Sequence, residues 1–187
     1  MQRFRLRSAH LAVPALTLGA ALFAASAQAQ TTVTLADTSQ TTTLTATVAE
    51  QARVTFPAGV SFTVNNIAAS TNSANASVNI SNIVLATASK QLRVSLQSEA
   101  AAFTPPVSGA VTWSAGDVSW AAAAWTNATG AAGTLSDSAY TQVATCAADA
   151  ASCSSSAVVF ALAPKTTVQR SGNHTLVVRW KVESIGS

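Results

Sequence analysis

The sequence predicts an all-β chain: a two-sheet antiparallel β-sandwich of immunoglobulin-like topology. Two observations carry that prediction. Apolar and polar residues alternate with period two over many short runs, as they do in strands that bury one face. Turn-forming residues separate the runs, and no stretch sustains a helical period long enough to stand alone. The count comes to about eight to ten strands, the range of a sandwich or barrel.

The elements follow in order. Thr31 to Ala49 is Thr-rich, with Val33, Leu35, Leu44 and Val48, and reads as a leader strand or extension spanning 30–49. Val54 and Phe56, then Val60, Phe62 and Val64, form two short runs bent at Pro57-Ala-Gly59. Val78 and Ile80 make the next run, with Ile83 and Leu85 just beyond. Lys90 to Gln97 turns Leu92, Val94 and Leu96 inward and Arg93 and Ser95 outward. Val111 and Trp113, then Val118 and Trp120, flank Ser114-Ala-Gly-Asp117, which has the composition of a hairpin connection. Tyr140 to Cys146 and Ala157 to Leu162 lie on either side of a short loop. The last run, Thr175 to Glu183, is the clearest: Leu176, Val178, Trp180 and Val182 share one face, opposite Arg179, Lys181 and Glu183.

The N-terminus reads as an address. Arg3, Arg5 and Arg7 precede an uncharged run from Leu11 to Ala25, which ends in Ala27-Gln28-Ala29. A basic start, a short apolar stretch and a small-x-small site are the three parts of a cleavable secretory signal, assigned to 1–29. A spanning helix needs about 20 apolar residues, and nothing later in the chain supplies them, so no membrane span is expected after cleavage. The sandwich domain is assigned to 50–187, and the location to the periplasm, the cell surface or the medium.

Cleavage changes the electrostatics. The net charge of +3 belongs to the three signal arginines. Beyond residue 29, Arg53, Lys90, Arg93, Lys165, Arg170, Arg179 and Lys181 balance Asp37, Glu50, Glu99, Asp117, Asp137, Asp149 and Glu183. A nucleic-acid partner needs a basic stripe, and none is present. A surface of hydroxyls and amides with balanced charge has little self-repulsion, which favours association.

Cys146 and Cys153 are the two cysteines, and in an exported chain they are expected to form a disulfide closing the loop between them. Their spacing is not C-x-x-C, and no histidine is near them in sequence. The alternative immunoglobulin signature, with cysteines on separate strands around a tryptophan, is absent. The signal, the Thr/Val-rich leader, the low charge and the final strand after Ser171-Gly172-Asn173 together resemble secreted β-sandwich subunits of bacterial pili, spore-coat-U-like proteins and matrix fibres. The likeness is one of composition, and it implies a pilin-like variant of the sandwich topology.

Chemistry is sparse. His174 is the one histidine beyond the signal, and no G-x-S-x-G elbow accompanies it. Glu50, Glu99 and Asp117 are the acids considered for a paired-carboxylate site. No metal-ligand cluster, P-loop or dinucleotide fingerprint occurs, so no catalytic residue, metal or cofactor is expected. The concentrated feature is aromatic: Trp113, Trp120 and Trp125 are candidates for a glycan-stacking platform. Parity places Trp113 and Trp120 with the core-facing valines and points Trp125 outward. The expected function is a non-catalytic structural or adhesive subunit associating through the leader or sheet edges. The runner-up is a carbohydrate- or surface-binding module with a glycan partner, followed by a hydrolase with an atypical site.

Overall fold

The computed structural model describes residues 32–36 and 39–186. The expected signal, 1–29, lies outside the described residues. The chain divides into two units, 1–45 and 46–187.

In the first unit, the described residues form no strand and are exposed, and residues 46–49 are irregular and exposed as well. Of the two expected forms of the leader, strand or extension, its described residues show no strand. An isolated alternating run has no neighbouring ladder to satisfy its backbone groups, so pattern alone does not make it a strand.

The second unit is the all-β sandwich. Its strands are β1 (Gln51–Thr55), β2 (Thr71–Asn72), β3 (Ala76–Val84), β4 (Gln91–Ser98), β5 (Val118–Trp120), β6 (Ala128–Gly130), β7 (Gly133–Thr134), β8 (Thr141–Cys146), β9 (Cys153–Val158), β10 (Phe160–Leu162) and β11 (Val178–Ile185). They form three antiparallel sheets, ordered β1-β3-β9, β2-β10-β5-β7 and β11-β4-β8-β6. A single residue separates β9 from β10, so one chain run links the first two sheets.

Register explains the odd spacing of the β3 core residues. Ala76, Val78 and Ile80 are buried on one parity, whereas Ile83 and Leu85 pack against the core on the other. Between the pairs Arg53–Ser81 and Gln51–Val84, β3 carries one more residue than β1. Asn82 lies there with φ of 51°, a left-handed conformation that Asn adopts at low cost. The bulge flips the phase and returns Ile83 to the core side.

On β4, Leu92, Val94 and Leu96 are buried as expected. Ser95 faces outward as expected and is buried nonetheless. It shares the outer face with Arg93, Tyr140, Gln142 and Lys181, whose longer side chains shade it.

The disulfide joins Cys146 at the end of β8 to Cys153 at the start of β9 and so ties two different sheets together. Both cysteines are buried in the core, with Cys153 paired to Ile80 in the ladder.

Four expectations change. Val60, Phe62 and Val64 form no strand, because past Pro57 and Gly59 the segment finds no ladder partner; Phe62 and Val64 only lean on the core. Val111 and Trp113 form none either, and Val111 is exposed. Ser114 to Asp117 is a 3-10 turn, held by the Asp117 carboxylate accepting from the Ser114 amide at 2.7 Å. The final strand begins at Val178, three residues later than its pattern suggests. Three short strands escaped the pattern: β2 is two polar residues, and β6 and β7 each contain a glycine. Gly133 is required sterically: a Cβ there would stand 2.6 Å from Cζ2 of Trp120.

Candidate functional site

The late start of β11 leaves one end of the sandwich open. There a cleft of about 1010 Å³ enters between the sheets. One wall is Leu96 and Trp180 from the β11-β4 pair, continued by Val178 and Leu176. The facing wall is Trp113, Val118, Trp120, Phe160 and Leu162. Two irregular segments form the rims: 57–64, contributing Val60, Phe62 and Val64, and 170–177, contributing Arg170 and His174.

The face that the sequence assigned to the core is thus only half covered at this end. Leu176 and Trp180 are partly buried, and Val178 is 39% exposed. Phe56 covers part of Trp180, its ring stacked at 4.5 Å between centroids. Arg170 is the one charged residue of the lining. β11 is also an edge strand, pairing with β4 on one side along all eight residues. Its other side therefore offers unpaired backbone donors and acceptors next to an apolar cleft.

The tryptophan candidates separate by burial. Trp113 and Trp120 are 5% and 3% exposed, and their indole N–H groups donate to the carbonyls of Ala163 and Ala131, each at 3.0 Å. Neither presents a flat face to solvent. Trp125 is half-buried, not outward-facing as parity suggested, because β5 stops at Trp120 and the chain from 121 to 125 is irregular. Its ring lies against Gly130, and its Nε1 is buried without a partner. The three rings do not make a sugar platform in this arrangement.

His174 is bound at both ring nitrogens. Nε2–H donates to the Arg170 carbonyl at 3.2 Å, so Nδ1 accepts from the Thr112 hydroxyl at 2.7 Å. Its ring meets Trp113 edge to face. These contacts make it a clasp between the 170–174 rim and residue 112.

The acids considered for catalysis are each held by a separate cation. Glu50 accepts from the Ala86 amide and from Lys90, which together hold its carboxyl below the ordinary value. Glu99 accepts from Arg179 at 2.6 Å and raises that guanidinium in turn. Burial pushes the Asp117 carboxyl up, but Lys165 and Ser114 outweigh it and leave the group lowered. Glu183 is held down by Lys181 and Arg93. A general acid at neutral pH needs its carboxyl raised; Glu50, Asp117 and Glu183 go the other way. Among the described residues no three His, Cys, Asp or Glu side chains gather as a metal site, and no helix is long and apolar enough to cross a membrane.

Sequence reasoning missed the cleft. The signal that could have located it is the pair of apolar runs, 60–64 and 175–178, flanking glycine turns at Gly59 and Gly172. Compared with protein-family models, with characterised proteins and with solved structures, the chain matches none.

Proposed function

We propose that this chain is an exported, non-catalytic structural or adhesive subunit that associates with its own kind through an exposed sheet edge. The observation that carries the reading is the incomplete end of the sandwich. An eight-residue edge strand, β11, runs beside an apolar cleft where Val178 is exposed and Leu176 only partly buried. Exposed apolar clefts and unpaired edges cost solubility in a monomer, and proteins that keep them use them to bind. The balanced charge beyond residue 29 removes the repulsion that keeps copies apart. The disulfide and the N-terminal pattern support export.

Light scattering after size-exclusion chromatography tests the association. The mass should rise with concentration to several times that of a single copy; a monomer at every concentration contradicts the proposal. Sequencing the N-terminus of protein recovered outside the cytoplasm tests the export: Gln30 should be the first residue, and a retained Met1 contradicts it.

A further inference from the structure

Resting on that reading, the geometry points to a specific occupant of the cleft: residues 41–48 of a second copy, laid along the free edge of β11 as an added strand with Leu44, Ala46 and Val48 turned into the cleft.

Three observations select this segment. The first is pattern. Thr41 to Val48 reads Thr-Thr-Thr-Leu-Thr-Ala-Thr-Val, with apolar side chains at every second position from 44 and threonines between. Such a run has strong strand propensity and one apolar face, and it matches the eight residues of β11 in length. The second is availability. Leu44 and Val48 are exposed at 93% and 68%, and residues 41–48 form no strand. The third is chemistry. No charged residue occurs from 39 to 49, and the cleft lining carries Arg170 as its one charge, at the rim. An uncharged strand enters such a cleft without burying an ion. The other leader run, Val33 and Leu35, falls on the opposite parity to Leu44 and is followed by Asp37. In a continuous strand its apolar face would turn away from the cleft.

Placement then sets the mode of association. The chain joins the sandwich at Glu50, whose carboxylate takes the Ala86 amide, Lys90 and the Ser184 hydroxyl. Ser184 and its neighbour Ile185 close β11 against Leu92 and Gln91. The cleft lies at the other end of the same strand, at Val178 and Trp180. Each copy therefore gives a strand at one end of its sandwich and receives one at the other. Such a contact is heterologous, and it propagates as an open chain of subunits, unlike a closed two-fold dimer.

The test uses the full chain carrying Leu44→Asp and Val48→Asp together, beside a second variant carrying Val33→Asp and Leu35→Asp. None of the four residues lies in the buried core, so the circular dichroism spectrum and melting should match the parent. The cleft proposal expects the 44/48 pair to raise the concentration for half-association by about 100-fold or more, and the 33/35 pair to leave it within a few-fold. A synthetic peptide of residues 39–49, added in excess, should shift the fluorescence of the cleft tryptophans and shorten the assemblies; a scrambled peptide should do neither. If the 44/48 variant associates like the parent, the leader is not the occupant, although self-association itself stands. If the parent is monomeric and the peptide leaves the fluorescence unchanged, the subunit reading falls as well.

Discussion

The two ends of the sandwich carry the same kind of sequence and reach opposite results. At the disulfide end, Ile80, Val143 and both cysteines are sealed. At the cleft end, Leu176, Val178 and Trp180 continue an equally regular alternation and remain part-exposed. Alternation states which side chains prefer cover; only a neighbouring element supplies it. β3 has β1 and β9 on its flanks, and the bridge fastens β9 to β8 behind them. β11 has β4 on one flank and, among the described residues, no strand on the other. The difference is one missing strand.

That comparison yields graded expectations. The largest effect belongs to Ile80→Ala, which deletes a side chain with 0% exposure and should cost about 3–4 kcal/mol in chemical denaturation. The matching truncation at the open end, Val178→Ala, removes a residue already 39% exposed and should cost under about 1 kcal/mol in the monomer. Equal losses at the two positions would break the comparison. Replacing Cys146 and Cys153 by Ser together should cost about 2–3 kcal/mol, since the loop they close is short. The same change should leave exchange of the β11 amides against solvent unaltered, because the bridge lies at the other end.

Asp117 gives a modest effect that depends on pH. Its folded carboxyl lies below the ordinary 3.8, so its contribution is fully present above the unfolded value and is lost as pH falls through the lower folded one. Asp117→Asn should therefore cost about 1 kcal/mol at neutral pH. The gap between variant and parent should close on acidification below 3.8, as followed by urea denaturation at a series of pH values. A gap that stays constant through that range would show that charge at 117 contributes nothing.

The legible part of the fold was the part whose signal is local. The run through Leu92, Val94 and Leu96 became β4, shifted by one residue, and the cysteine pair became a bridge. Period two also placed Trp120 in the core beside Val118; Trp113 is buried as well, but without the strand it was expected to share with Val111, which is exposed. What escaped depended on partners distant in sequence. Val60 to Val64 has the pattern of a strand and lacks a ladder to join. Gly130 and Gly133 weaken the pattern of β6 and β7, although Gly133 is required by the Trp120 ring above it. The phase change at Asn82 hides a bulge that only register reveals. Trp125 depended on how far β5 runs, which hydrogen bonding to β7 and β10 decides and side-chain parity does not. The cleft left only an indirect signal, the apolar runs at 60–64 and 175–178, because an absent neighbour adds no pattern of its own to the residues that lack it.

The most direct test of the missing strand is amide hydrogen exchange on the full chain, read at low and high protein concentration by mass spectrometry. Completion by a second copy predicts that peptides covering 178–185, together with residues 41–48, slow markedly as concentration rises, while β3 peptides exchange at the same rate throughout. Unchanged exchange at β11 and at the leader across the whole range would contradict it, and the open end would then be a property of the finished monomer.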